Sequence, residues 1–305
     1  MTLLRGQFLT TGPLALIAVC YFIAAPSVPA SRVEQLFAPS FSGKSHLLAT
    51  DCRTVADQLQ QQLSRDWNIV IHEPFVIAGD CPVAHLDRCY QDTIAPTARA
   101  LSVQYFDQQP TWPISIVLCT TDESYRECHL QLGDKDRSEY SGIYLRSQHR
   151  IVVNIATGEG TLAHELTHAL AHADFPEMPE WLDEGLASLY EECEFSPDEL
   201  RLVGMENWRG AVLRGAMKAE TLRSIAEMTE ASFAKTDPPV EYAQARYFCL
   251  YLQKRNLLEP FYRKCRTHAK NSRNGLESLQ ELMGMDEASI DQAFQTWMMR
   301  GDGKR

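Results

Sequence analysis

The stretch His164-Glu165-Leu166-Thr167-His168 lies near the middle of the 305-residue chain and carries its clearest structural signal. Gly158-Glu159-Gly160 interrupts a β-rich segment just before it, which predicts a helix from about Thr161 to about Asp174. Two histidines four residues apart on a helix project from the same face, so their imidazoles can bind one Zn²⁺ ion. Glu165 lies beside the first histidine and is placed to act as a general base on a metal-bound water.

A zinc site that carries out hydrolysis needs a third protein ligand, because it keeps three protein ligands and one open position. The next predicted helix runs from about Glu180 to Glu192 and offers one. Glu184 lies on its apolar face, where a carboxylate needs a partner and a metal ion would supply it. Leucines form that face: Leu182, Leu186 and Leu189. The other acidic residues of the helix are predicted to be exposed or to support the ligands from behind: Glu180, Asp183, Glu191 and Glu192.

The two helices together carry a recognisable pair of motifs, H-E-L-T-H and the later Pro179-Glu180-Trp181-Leu182-Asp183-Glu184-Gly185-Leu186-Ala187. The pair resembles the gluzincin zinc metallopeptidases of the peptidase-MA-like superfamily, which include the thermolysin-like and aminopeptidase catalytic domains. The resemblance covers roughly residues 140–255. It implies that His164, His168 and Glu184 bind zinc and that Glu165 is the catalytic base. Fifteen residues separate His168 from Glu184, fewer than in the aminopeptidases, which fits the shorter members of the group.

A second match begins at Glu241-Tyr242-Ala243-Gln244-Ala245-Arg246-Tyr247-Phe248, which opens a helix after two prolines. It resembles a segment of the same group in which a tyrosine hydroxyl donates to the oxyanion. Such a donor is useful because charge develops on the carbonyl oxygen when water attacks it. Tyr242 is the first candidate for this role and Tyr247 the second. Ordinary packing is the alternative for either tyrosine.

One further segment resembles the same group in sequence but lies at a different position in the chain. Gly204-Met205-Glu206-Asn207 is similar to the segment that binds the substrate amino group in the aminopeptidases, but here it follows the H-E-L-T-H motif instead of preceding it. Aminopeptidase activity in particular is therefore not predicted. The strand position before the motif is held by residues 142–145 or by residues 151–154. An exposed strand edge at that position can pair with an extended peptide.

His172 lies one turn beyond His168 on the same helix face. With Glu184 available as the third ligand, His172 is predicted to support the site from behind or to lie on the surface. Five further histidines show no ligand spacing and are predicted to be structural or exposed: His72, His85, His129, His149 and His268.

The first thirty residues have the pattern of a secretory signal. Arg5 is the only charged residue before Arg32, an apolar run covers residues 14–25, and small residues follow as far as Ala30, where cleavage is predicted. The run is shorter than the roughly 20 residues of a spanning helix. An uncleaved membrane anchor is the first alternative, and a lipoprotein signal at Cys20 is the second. Export implies a secreted, periplasmic or cell-surface protein.

Eight cysteines follow the predicted signal: Cys52, Cys81, Cys89, Cys119, Cys128, Cys193, Cys249 and Cys265. An even number in an exported chain favours disulfides. The nearby pairs Cys81/Cys89 and Cys119/Cys128 are local candidates. For Cys249, which lies in an apolar helix, a buried free thiol is the alternative.

Composition and element order indicate a globular α+β protein. The chain is 45% hydrophobic and 23% charged, and its net charge of −11 with no dense basic patch argues against nucleic acid as a partner. Residues 31–50 are predicted to be a loop. Strands are predicted at 68–78, as a pair or one bent strand, at 114–119, and as a hairpin within 140–155. Further helices are predicted at 54–63, 87–106 with a possible break at Pro96, 221–228, 240–255, 259–269, 276–283 and 287–299. Strands that precede a run of helices are typical of the α+β class.

The resemblance implies a zincin-like metallopeptidase domain, with a small mixed sheet, the active-site helix and a mostly helical C-terminal part. We divide the chain into the signal or anchor (1–30), an N-terminal α/β region (31–110) and the catalytic domain with its C-terminal helices (111–305). The middle region could complete the sheet, cover the cleft or hold the substrate. The predicted function is that of an exported zinc metallopeptidase acting on peptide or protein substrates. The alternative is a catalytically inactive zincin-fold protein that binds zinc or a protein partner, although such a protein would not need Glu165.

Overall fold

The computed structural model describes residues 44–135, 139–230, 233, 236–269 and 275–300. The predicted signal, its apolar run and Cys20 lie outside these residues. Among the residues that are described, no helix combines the length and the apolar character that a membrane span requires.

A mixed five-stranded sheet occupies the first half of the described chain. Its strands are β1 (Asn68–His72), β2 (Phe75–Gly79), β3 (Ile114–Cys119), β4 (Gly142–Leu145) and β5 (Arg150–Asn154). They lie side by side in the order β1-β2-β3-β5-β4. The three inner strands are parallel, and the edge strands β1 and β4 are antiparallel to their neighbours. The exposed strand position considered above therefore belongs to β4, because β5 is enclosed between β3 and β4.

The sheet joins two regions that the sequence analysis separated. Residues 68–78 form the predicted strand pair, and β2 is the parallel neighbour of β3. The boundary expected at residue 110 therefore falls between two adjacent strands of one sheet. Of the roles left open for residues 31–110, completing the sheet is the one that β1 and β2 fill.

Helices pack on both faces of the sheet and predominate after it. The first four are α1 (Lys44–Gln62), α2 (Val83–Cys89), α3 (Ala95–Gln104) and α4 (Asp122–Gln131). After the sheet come α5 (Glu159–Asp174), α6 (Glu180–Tyr190), α7 (Arg209–Lys218), α8 (Ile225–Glu230), α9 (Pro238–Lys254), α10 (Leu258–His268), α11 (Leu276–Met283) and α12 (Glu287–Arg300). A small hairpin of β6 (Cys193–Phe195) and β7 (Leu202–Gly204) separates α6 from α7. The predicted combination of helices with a small sheet is confirmed, but α1 to α4 precede or lie between the strands, so the helices do not all follow them.

Several elements differ from the sequence prediction. α1 begins at Lys44, inside the segment that was expected to be a loop. The helix expected over 87–106 is divided by a π-helical turn at Tyr90–Ile94, and Pro96 lies in the first turn of α3, where its missing N–H costs no hydrogen bond. α4, α7 and the β6–β7 hairpin were not predicted. α4 had a local signal, because Thr121 and Ser124 form a reciprocal capping box at its start.

The two faces of the sheet belong to two separate cores. Side chains alternate along a strand, so Ile116 and Leu118 of β3 join the larger core, whereas Val117 and Cys119 join the smaller one. The smaller core is closed by α1 and α4. The larger core continues into the C-terminal helices. α5, which carries the H-E-L-T-H motif, packs against β4 and β5 on one side and α6 on the other.

No disulfide is formed among the described cysteines. Of the local pairs expected above, Cys119 and Cys128 place their Sγ atoms 3.3 Å apart, which is a contact and not a bond. Both members of each expected pair lie in one core, Cys81 and Cys89 in the larger and Cys119 and Cys128 in the smaller, where thiols pack as small apolar side chains. Burial accordingly raises the pKa of the Cys52 and Cys89 thiols to about 11. Cys249 is a buried free thiol, which was the alternative to a disulfide at this position.

A buried carboxylate ties the end of the motif helix to the C-terminal helices. The Asp174 side chain is fully buried and accepts hydrogen bonds from the backbone N–H groups of Asp107 and Gln108, both at 2.9 Å. It also accepts one from the Tyr262 hydroxyl at 3.0 Å and one from Arg266 Nη1 at 2.6 Å.

We expect Asp174→Ala to lower the free energy of unfolding by about 3–5 kcal/mol, because it leaves the Arg266 charge without its buried partner. Urea denaturation followed by circular dichroism would measure the loss. Glu281→Ala is the matched control, since it removes only an exposed pair with Lys264 and should leave the midpoint nearly unchanged. Equal midpoints for the two variants would contradict the structural role of Asp174.

Candidate metal centre

Two consecutive helices present the predicted ligands. Gly158 has a φ of 113°, a backbone conformation that favours glycine, and α5 begins at the next residue. Pro179 directly precedes α6. His164 and His168 lie on α5 and Glu184 lies on α6, and the two helices pack against each other.

The three predicted ligands converge on one point. His164 Nε2 lies 3.0 Å from His168 Nε2, and Glu184 Oε2 lies 3.5 Å and 3.6 Å from these two nitrogens. Bonds of about 2.0–2.1 Å in a tetrahedral zinc site place neighbouring ligand atoms about 3.3–3.4 Å apart, so the three observed distances bracket that spacing to within about 0.3 Å. Two imidazole nitrogens and one carboxylate oxygen are also a donor set that zinc accepts. The spacing of the donor atoms therefore fits zinc.

A buried oxygen gives a second test of the fit. Glu184 Oε2 is inaccessible to solvent and accepts no hydrogen bond from any residue that the structure describes. Buried carboxylate oxygens normally have a partner. A cation at the point where the ligands converge would provide one.

Carboxylates hold the outer nitrogens of both ligand histidines. His168 Nδ1 lies 2.6 Å from Asp183 Oδ1, and His164 Nδ1 lies 3.0 Å from Glu191 Oε1. The hydrogen bond to Asp183 fixes the orientation of the His168 ring and leaves its Nε2 free to face a metal. The approach of Glu191 to His164 is an ion-pair contact without hydrogen-bond geometry at Nδ1. Asp183 of α6 and Glu191, the residue that follows α6, thus lie behind the candidate ligands, which is one of the two positions predicted for the acidic residues of this segment. Glu180 is exposed, in agreement with the same prediction.

His172 belongs to the support of the site. Its Nε2 lies 2.7 Å from Asp183 Oδ2, so the two oxygens of Asp183 each contact one imidazole. His168, His172 and Asp183 are close enough to form a second possible metal-binding group. Their short contacts are those of a chain of hydrogen bonds, because each carboxylate oxygen already has an imidazole nitrogen as its partner.

The electrostatics favour a cation. Burial alone would raise the pKa of Glu184, but the imidazoles of His164 and His168 lower it to about 2. Burial alone would lower the pKa of His164, but Glu184 and Glu191 raise it to about 9. The carboxylates therefore draw positive charge onto the histidines when no metal is bound. A divalent cation would compete with those protons for the same nitrogens.

Glu165 belongs to the motif helix, and its side chain packs against the edge strand β4. Its side chain is almost fully buried, and the backbone N–H of Tyr144 donates to its carboxylate. A Cβ added at Gly142 would lie 3.2 Å from Glu165 Cγ and 2.6 Å from a Thr161 methyl group, so glycine allows this close approach of β4 to α5. Burial raises the pKa of Glu165, while the charges of the two ligand histidines oppose that shift.

The two candidate tyrosines of α9 have different surroundings. α9 crosses α6 closely at Gly185, where a Cβ would lie 2.9 Å from the carbonyl oxygen of Ala245. The Tyr242 ring lies 5.5 Å from Arg209 Cζ, and Arg209 contacts Glu191, whose carboxylate lies 3.0 Å from His164 Nδ1. Burial raises the pKa of Tyr242, and the charges of Glu184 and Glu165 raise it further.

Tyr247 has a structural role instead. Its hydroxyl donates to the Asn207 carbonyl at 2.8 Å and accepts from the Asn207 N–H at 3.0 Å. Tyr242 is therefore the tyrosine that remains available as a donor. The Gly204–Asn207 segment, set aside in the sequence analysis, is likewise structural, because Met205 donates its N–H to the Glu192 carbonyl at 2.9 Å.

Comparisons with known proteins add little to this geometry. No protein-family model matches the chain, and no curated protein matches it in sequence. Among solved structures, native yeast LTA4 hydrolase matches with a TM-score of 0.40 and 16% sequence identity. The match covers 74% of this chain and 38% of that chain, so this chain spans well under half the length of that enzyme.

Proposed function

We propose that this protein is a zinc-dependent peptidase with a zincin-like catalytic domain that includes β1 and β2. The observation that carries the proposal is the convergence of His164 Nε2, His168 Nε2 and Glu184 Oε2 at distances that suit zinc. Glu165 beside that point supplies a candidate base, which a site built only to bind zinc does not need. The N-terminal apolar run supports export of the protein, with peptides or proteins as substrates.

Each residue of the site has a distinct task in this reaction. His164, His168 and Glu184 would hold the zinc, which when bound would polarise the scissile carbonyl and lower the pKa of water. Glu165 takes a proton from the attacking water and passes it to the leaving amine. Its raised pKa brings it closer to working pH, where a general base transfers protons most effectively.

Two further features suit peptide hydrolysis. Tyr242 can donate a hydrogen bond to the carbonyl oxygen as negative charge develops there. The edge strand β4 can pair with an extended peptide backbone. Tyr144 belongs to this strand and donates its backbone N–H to Glu165, so the candidate base lies beside the strand.

The function is tested by zinc content and by hydrolysis of a mixed peptide library. We expect wild-type protein to bind about one zinc ion per chain, to lose hydrolysis on chelation and to regain it when zinc is restored. Glu184→Gln should remain folded but bind zinc much more weakly. Glu180→Gln is the matched control on the same helix, since Glu180 is exposed, belongs to no candidate metal group among the described residues and accepts a hydrogen bond from Phe233 N–H that glutamine can also accept. Stoichiometric zinc without any zinc-dependent cleavage would favour a zinc-binding scaffold over a peptidase.

A further inference from the structure

We propose that Arg209 is a positioning residue that links the candidate ligand His164 to the candidate donor Tyr242. Arg209 is the first residue of α7 and belongs to none of the sequence motifs. The kinetic part of this proposal rests on the proposed function. Its effect on zinc binding rests only on the proposed ligand set, because zinc affinity is measured without turnover.

The first contact leads to the metal centre. Arg209 Nη2 lies 3.0 Å from Glu191 Oε1 and 3.1 Å from Oε2. The same Glu191 Oε1 lies 3.0 Å from His164 Nδ1. The side chains of Arg209 and Glu191 are only 14% and 20% exposed, so this charge-assisted contact is partly shielded from water. Arg209 therefore holds the carboxylate that lies against His164 Nδ1.

The second contact leads to the candidate hydrogen-bond donor. Arg209 Cζ lies 5.5 Å from the centre of the Tyr242 ring and 4.7 Å from the centre of the Trp208 ring. Guanidinium groups at these distances are attracted to the faces of aromatic rings. Phe233 packs edge-on against Tyr242, with ring centres 5.0 Å apart. The Tyr242 ring is thus held by Arg209 and Phe233, which sets the direction of its hydroxyl.

The backbone of Arg209 is anchored to α9, the helix that carries Tyr242. Arg209 N–H donates to Asn207 Oδ1 at 3.1 Å, and the Tyr247 hydroxyl binds both backbone groups of Asn207. A Cβ at Gly210 would lie 2.7 Å from Tyr247 Cζ, so only glycine permits this close seating of α7. A residue that positions others needs such a rigid mount.

The test compares Arg209→Met, Arg209→Lys and the control Arg201→Met in the full chain. Arg201 forms a similar arginine–glutamate pair with Glu259, but its side chain is half exposed. We expect R209M to weaken zinc affinity by about 10-fold or more and to lower kcat with little change in KM, as loss of a group supporting a ligand does. R209K should recover much of the zinc affinity, because lysine keeps the charge beside Glu191, but less of kcat, because it lacks the planar group. R201M should match wild type in both.

Two double variants separate the two contacts. If Arg209 acts through Tyr242, the double variant R209M with Tyr242→Phe should have the same kcat as Tyr242→Phe alone. If Arg209 acts through Glu191, the double variant R209M with Glu191→Gln should have the same zinc affinity as Glu191→Gln alone. Independent, multiplying losses would overturn the corresponding contact. Unchanged zinc affinity and kcat in folded R209M would overturn the whole proposal, and R209K carries the test if R209M does not fold. A wild-type protein that binds zinc but cleaves no peptide would contradict the proposed function, while the zinc affinities still decide the role of Arg209 toward His164.

Discussion

Glu165→Gln is expected to lower peptide hydrolysis by at least about 10²-fold while zinc remains bound, because glutamine cannot accept the proton that a general base must take up. The substitution preserves the size of the side chain and an oxygen that can accept the Tyr144 N–H. Glu165 is also absent from the group of three atoms that could hold the ion. The fold and the zinc affinity should therefore survive, and steady-state hydrolysis of a responsive library peptide would measure the loss.

Glu177→Gln is the matched control for this experiment. Glu177 is exposed in the connection between α5 and α6, so the same chemical change there should leave hydrolysis unaltered. Loss of zinc from Glu165→Gln would make Glu165 a ligand and would remove Glu184 from that role. Undiminished hydrolysis would place the chemistry elsewhere in the molecule.

His168→Ala is expected to abolish most zinc binding. It removes one of the three converging donor atoms and also leaves Asp183 without one of its two imidazole partners. The loss of affinity should exceed the roughly 10- to 100-fold that follows removal of a group supporting a ligand. Competition with a chromophoric chelator would measure it in the folded protein.

His85→Ala controls for the loss of a histidine as such. His85 is half-buried on α2 and belongs to no group that could hold a metal among the described residues. Its substitution should leave zinc affinity unchanged. Full zinc occupancy in His168→Ala would refute the proposed ligand set.

Parts of the site were predictable because they depend on local geometry. His164, Glu165 and His168 lie within one helix, whose period alone places the two imidazoles on one face. Glu184 was predictable because a carboxylate among leucines on a buried face requires a partner. The structure brings donor atoms of His164, His168 and Glu184 within 4.8 Å of one another. Buried strands such as β3 were visible as short apolar runs for the same local reason.

Other parts required distances between segments that are remote in sequence. Local reasoning could not decide which of Tyr242 and Tyr247 has a free hydroxyl. The hydroxyl of Tyr247 is hydrogen-bonded to the backbone of Asn207, a contact between segments 40 residues apart that only the tertiary structure shows. The cysteines were expected to pair, yet pairing depends on the distance between sulfur atoms, and Cys119 and Cys128 share a core with their Sγ atoms 3.3 Å apart and no bond between them. Arg209 carries no motif, and its contact with Glu191 exists only because α7 packs on α9.

The sequence by itself determined the motif helix, the donor atoms and the α+β class, since helical period, residue chemistry and apolar runs act over a few neighbouring residues. Only the tertiary structure decided that β4 is the edge strand, that β1 and β2 share the sheet, and that Asp183 and Glu191 stand behind the ligand histidines. Those features follow from strand order and helix crossings. They are set by how the whole chain buries its apolar surface, and a local pattern does not contain that information.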